Sequence, residues 1–179
     1  MNYPSVTECL RPWQDFSAIP PEVLANAAAR GTTCHAAYAS YALGLWIPDL
    51  AGDCRGYFES FCRWYDSTVI LATAVEPALV CKEYGFHGHP DFIGKIKGDA
   101  GLVLIDWKNP VGASLGWRLQ IAAYHHLAAE SFEISRVLIV QPHPKGKRAK
   151  VTEHTGTLQR DFATFLNGLA IYKFFNGGK

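Results

Sequence analysis

Two short segments of the 179-residue sequence carry side chains that could do chemistry together: Gly88-His89-Pro90-Asp91 and Ile105-Asp106-Trp107-Lys108. The first sets a carboxylate after a turn. The second sets a carboxylate and an ammonium in an apolar run that reads as a buried strand, where alternate residues share a face. Asp106 and Lys108 then face one way, and Ile105 and Trp107 the other. A carboxylate inside such a run is costly unless it is paired or bound to a metal. Two acids and a lysine in one pocket can hold a divalent cation, orient water and steady negative charge, as metal-assisted hydrolysis of a phosphodiester requires. Each acid also has an ordinary structural reading. Asp91 could bond its own backbone in a turn, and Asp106 could simply neutralise Lys108.

Other residues join these only by inference. Glu76 ends an apolar run and is either an exposed strand-end residue or a further acid near the pair. Gln120 and Tyr124 are i, i+4 and share one helix face. There they can brace the lysine or a phosphate, or simply be a half-buried amide and an amphipathic aromatic. His35 sits in an Ala-rich helical stretch, where a lone histidine is more often structural than a ligand. His87 and His89 fit a loop role or a substrate contact better than a metal pair; Mg²⁺ prefers oxygen, and histidine ligation would tilt selectivity towards Mn²⁺. The most basic local stretch is the loop carrying Lys145, Lys147 and Arg148, with Lys150 beyond it. Its ordinary reading is a solvated hairpin tip, and its functional one is contact with a phosphate backbone.

The elements that must position these residues can be read from periodicity. Residues 1–20 carry three prolines and read as an extended lead-in, followed by one domain over 21–179. Pro21 suits the first turn of a helix running to Leu43, with Gly31 a candidate kink. Asp53 is placed to cap a second helix over Arg55–Tyr65. Strands are expected over Thr68–Val75, Ala78–Tyr84, Phe86–Ile96 and Leu102–Lys108, the last two joined through the Gly98–Gly101 turn. A polar loop, Asn109–Gly116, leads to a helix over Trp117–Ser131. Strands over Arg136–Gln141 and Ala149–His154 and a closing helix over Leu158–Phe175 complete the order. That order predicts an α/β or α+β fold, a central sheet with helices on its faces.

Composition narrows the class. A hydrophobic fraction of 49% excludes a disordered chain, and no apolar run is long enough to span a membrane. A net charge of +1 means that any nucleic-acid contact must use a local patch. The five cysteines, Cys9, Cys34, Cys54, Cys62 and Cys81, form no CxxC pair, which argues for buried free thiols and against zinc-finger or thioredoxin chemistry. The first residues lack a charged segment followed by an apolar one, so a cytosolic location is expected.

Taken together, the motifs resemble the PD-(D/E)xK nuclease superfamily, in its RecB-like and lambda-exonuclease-like branch. Pro90-Asp91 is similar to the first signature acid, and Asp106-Trp107-Lys108 to the D-x-K. Gln120 and Tyr124 resemble the Q-x-x-x-Y helix, Arg30 through His35 the early helical motif, and Val75-Glu76 the strand acid. The resemblance implies a restriction-endonuclease-like core, a mixed sheet flanked by helices. It implies one or two Mg²⁺ or Mn²⁺ ions held by Asp91 and Asp106, with His35, Glu76 and the Trp107 carbonyl completing or tuning the site. Lys108 would position the attacking water, supported by Gln120 and Tyr124, and Arg30 and Arg118 would hold phosphate. No cysteine follows Cys81, so no iron–sulfur cluster is expected. The expected activity is that of a DNA exonuclease. A flap or structure-specific endonuclease, and a catalytically silent nucleic-acid-binding module, stand as alternatives. By analogy with phage or mobile-element enzymes, it would work in the host cytosol. The resemblance leaves room for an oligomer and for a recombination or single-strand-annealing protein as partner.

Overall fold

The computed structural model describes residues 3–47, 49–50, 52–109 and 114–176. Five strands form the main sheet, in the order β1-β4-β5-β6-β7. They span Val69–Val75 (β1), Phe92–Ile96 (β4), Leu102–Trp107 (β5), Ile134–Gln141 (β6) and Lys150–Glu153 (β7). A separate two-stranded sheet pairs β2 (Leu79–Cys81) with β3 (Phe86–Gly88). In the main sheet only β5 and β6 run parallel, and α4 (Gly116–Ala129) lies between them in the chain, as a parallel pair requires. The sheet is therefore mixed, with β5 at its centre.

Alternation along the strands feeds two cores. Ile93, Leu104, Val137 and Ile139 face one way and pack with α4, α5 (Leu158–Asn176) and α1 (Val6–Leu10). Phe92, Val103, Ile105, Trp107, Leu138 and Val140 face the other way, towards α2 (Pro21–Ala42) and α3 (Asp53–Thr68). That second core is aromatic. Tyr38 of α2 stacks on Phe61 of α3 at 4.2 Å between centroids, and Phe61 meets Trp107 edge-on at 5.0 Å. Such pairs add to area burial and fix ring orientation, so Trp107 anchors the end of β5 that carries Asp106 and Lys108. Among the described residues, no helix is long and apolar enough to cross a membrane.

Three expectations change. The first twenty residues are not simply extended. Ser5 and Glu8 form a capping box, the Ser5 hydroxyl accepting the Glu8 N–H at 3.2 Å and the Glu8 carboxylate accepting the Ser5 N–H at 2.8 Å. This starts α1, whose Val6, Cys9 and Leu10 are buried. Phe86–Ile96 is not one strand. Pro90 lacks an N–H to donate to a ladder, and the chain passes there from the small sheet into the main one. Asp53 does not cap α3. The cap position is Gly52, at φ +62°, while Asp53 begins the helix and faces Arg30 at 3.6 Å. Of the loop before α4, Pro110–Ala113 lie outside the described residues. All five cysteines are free, and all but Cys62 are buried.

Candidate active site

The antiparallel register pairs Phe92 with Ile105, which brings Asp91, just before β4, beside the end of β5. The Trp107 N–H donates to Asp91 Oδ2 at 2.6 Å, and His35 Nδ1 lies 3.2 Å from Asp91 Oδ1. Both acids are buried, Asp91 at 7% and Asp106 at 1% exposure. Their surroundings push them in opposite directions. Burial raises the Asp91 pKa, but the His35 ring, Lys108 and the Trp107 N–H outweigh it and hold the carboxyl below its usual range. For Asp106 burial prevails, with help from the Asp91 charge, and the carboxyl is pushed up to about 6. The His35 pKa is raised, because the attraction of Asp91 overcomes the cost of burying the charged ring. One acid is thus kept ionised, and its neighbour titrates near neutrality.

A chain of hydrogen bonds leads from the second acid into α4. Lys108 Nζ lies 2.7 Å from Asp106 Oδ2 and donates to Gln120 Oε1 at 3.0 Å. Gln120 Nε2 donates to the Tyr124 hydroxyl, also at 3.0 Å. The i, i+4 spacing aims both α4 side chains at the face of β5 that carries Asp106 and Lys108. Burial raises the Tyr124 phenol above its ordinary range, so it stays protonated. Gly88 packs directly on this tyrosine. A Cβ there would come within 2.7 Å of Tyr124 Cε1, so the glycine of the first motif makes room for the last residue of the helix motif.

Asp106 Oδ2 is paired with the Lys108 ammonium at 2.7 Å, and no other donor reaches it among the described residues. A buried carboxylate with a single cationic partner can take a further cation or a proton. Among the described residues, no group of three or more His, Cys, Asp or Glu side chains converges as a ready metal cage. Two carboxylates still suit Mg²⁺, which keeps several of its waters and is commonly held by one or two protein carboxylates. The donor set fits a hydrated, oxygen-bound dication and not a closed structural site.

The remaining candidates divide. Glu76 does not join the cluster. Its N–H donates to the Asp91 carbonyl at 3.1 Å, but the residue turns at φ +48° and its side chain is exposed. Arg30 is occupied between helices, its guanidinium 5.8 Å over the Tyr57 ring and facing Asp53. Arg118 is also committed, gripping Asp161 of α5 with two parallel bonds of 2.8 and 3.0 Å. Both are engaged within the fold, although Arg30 Nε has no hydrogen-bond partner among the described residues. Lys145, Lys147 and Arg148 are exposed and enter no ion pair among the described residues. Tyr38 and Asn109 were not singled out from the sequence; they tie α2 to the residue that follows Lys108. The Tyr38 hydroxyl donates to Asn109 Oδ1 at 2.7 Å. Their signals were present, one helical turn after His35 and directly after Lys108, but neither residue type announces a role. The chain matches no protein-family model, and comparison with curated proteins returned no significant match.

Proposed function

We propose that this chain is a divalent-metal-dependent DNA nuclease built on a restriction-endonuclease-like core, most consistent with an exonuclease. The observation that carries the reading is the convergence of four sequence-distant motifs. His35 meets Asp91, Asp91 meets the Trp107 peptide, and Asp106, Lys108, Gln120 and Tyr124 follow one another in contact. A purely structural ion pair has no need of a half-buried amide and a buried phenol behind its lysine.

In this reading Asp91 and Asp106, with the Trp107 carbonyl, hold the ion. Bound there, Mg²⁺ or Mn²⁺ would supply Lewis-acid stabilisation of charge on the phosphate and lower the pKa of water. His35 keeps Asp91 ionised and oriented. Lys108 holds the attacking water and is itself held by Gln120, whose amide is fixed by Tyr124. The aromatic core behind Trp107 keeps β5 from shifting, so these groups are in place before substrate arrives.

The test is incubation with end-labelled, end-blocked and circular DNAs in Mg²⁺ or Mn²⁺, comparing the native chain with Asp106→Ala and Lys108→Ala. Release of end nucleotides, with circles spared, is expected from the native chain. Nicking of circles would point instead to an endonuclease. Undiminished cleavage by both variants would remove the assignment. The exposure of Glu76, and a donor set short of three side chains, favour a second reading: a catalytically silent nucleic-acid-binding module. Calorimetry separates the two, since the silent module binds DNA but takes up no Mn²⁺.

A further inference from the structure

On the face of the sheet away from Gln120 and Tyr124, α3 does not cover β6 and β7 completely. Between helix and strands runs a groove of about 710 Å³. Its floor is apolar, with Trp64, Leu138 and Val151, and its lining includes Arg63, Arg148 and Arg136. Strand alternation explains the floor, since Leu138 shares a face with Val140, and Val151 lies directly opposite Val140. The three arginines are not equivalent. Arg136 is neutralised by Asp99 at 2.7 Å and Glu153 at 2.9 Å. Arg63 and Arg148 are exposed and have no ion pair among the described residues. Of the acids on α3, neither Glu59 nor Asp66 lines the groove. Glu59 lies 3.7 Å from Arg55 and against Gly146 of the basic loop, and Asp66 accepts the Tyr41 hydroxyl at 2.8 Å.

We infer that this groove binds a segment of single-stranded nucleic acid outside the catalytic centre, with phosphates on Arg63 and Arg148 and bases against the apolar floor. Two unneutralised guanidiniums suit phosphate oxygens, which they can grip in pairs. An apolar floor is of no use to a duplex, whose bases are stacked inward, but suits a strand whose bases are free. The groove lies towards the far end of the sheet from the acids: Ile96, in its lining, ends the strand that Asp91 precedes, and Arg136 pairs with Val103, near the start of β5. A strand held there is not the one being cut. The inference rests on the nuclease reading for its choice of ligand, and it extends the basic loop at Arg148 to Arg63 on α3.

The test is fluorescence anisotropy in EDTA, with a labelled deoxythymidine strand and a hairpin duplex, on the native chain and the Arg63→Ala/Arg148→Ala double variant. Thermal melting checks that the variant is folded. The variant is expected to bind the single strand about tenfold or more weakly, and to lose roughly 1.4 from the slope of log affinity against log salt, two phosphates' worth. Duplex affinity should fall much less than single-strand affinity. Unaltered single-strand affinity and slope would overturn the inference while leaving cleavage, and hence the nuclease reading, intact. An equal loss for duplex would overturn the single-strand assignment. A native chain that neither binds nor cuts DNA would overturn both.

Discussion

Two acid–cation pairs flank α4, and they are built to different standards. The Arg118–Asp161 pair joins α4 to α5 with both carboxylate oxygens engaged by a planar fork. Although burial raises the Asp161 pKa, bonds from Thr157 and Arg118 hold its carboxyl below its ordinary range. The Asp106–Lys108 pair is more deeply buried, rests on a single contact of 2.7 Å, and its carboxyl is pushed up to about 6. The first pair is saturated, and its energy goes into holding two helices together. The second rests on a single contact in a dry place, where part of what the contact returns is spent on burying the charges. The comparison separates a charge pair that maintains the fold from one that the fold maintains.

The largest effect should come from Asp106→Asn. If the pair is functional, metal-dependent cleavage falls by roughly 10³-fold, because a ligand charge is lost from the reaction centre. The folded state should tolerate the change, and a melt run beside the nuclease assay shows both. Asp161→Ala should do the reverse. Leaving Arg118 unpaired costs roughly 2–3 kcal/mol by chemical denaturation, less than a fully buried pair would because Arg118 is part exposed. Cleavage per folded molecule should not change. Equal activity losses for the two variants would erase the distinction.

Acidity sharpens it further. The Asp106 pKa is raised from its ordinary 3.8 to about 6. Its protonated form therefore favours folding, a contribution complete below about pH 4 and lost as pH rises through about 6. Asp91, with its pKa lowered, contributes in the opposite sense, and that contribution is lost only as pH falls through its depressed value. Asp106→Asn removes the first dependence, together with the pull of that charge on His35. In metal-free buffer the variant should gain on the native chain by roughly 2 kcal/mol between pH 4 and 7. Adding Mn²⁺ should shrink that gap by stabilising the native carboxylate. A gap that is flat in pH and indifferent to Mn²⁺ would count against a strained acid. The smallest effect is expected at Gln120→Ala, which removes the brace behind Lys108. A roughly tenfold fall in kcat with little change in KM would mark a positioning role.

Much of this arrangement was legible in the sequence, and the reasons differ residue by residue. Asp106 and Lys108 shared a face by simple alternation, and Gln120 and Tyr124 by helical spacing. A central sheet with helices on its faces followed from the order of periodic segments, and its mixed character only from the resemblance. Glu76 could not be read, because proximity along a hairpin says nothing about which way a side chain leaves a left-handed residue. Arg30 and Arg118 looked free because the acids that engage them, Asp53 and Asp161, arrive from other helices. The short helix at Val6–Leu10 was readable, since Ser5 and Glu8 have capping-box spacing, but the flanking prolines masked it. Arg63 was hidden for another reason. A helical arginine acquires a partner groove only when the strands beside it are placed.

The basic loop after β6 has a consequence for the protein's fate in the presence of proteases. It carries trypsin sites at Lys145, Lys147 and Arg148, and by composition it looks like an accessible tip. Yet Pro142, Gly146 and Ala149 are buried, the His143 N–H donates to Ser60 Oγ at 2.8 Å, and a Cβ on Gly56 would lie 1.9 Å from the Pro144 carbonyl. The loop backbone is pressed against α3 and cannot enter a protease cleft without lifting away. Trypsin should therefore spare it in the native chain and cut it promptly in Gly56→Ala, as gel electrophoresis of timed digests would show. The rate of that cut is a direct clock for how often the loop and α3 part company.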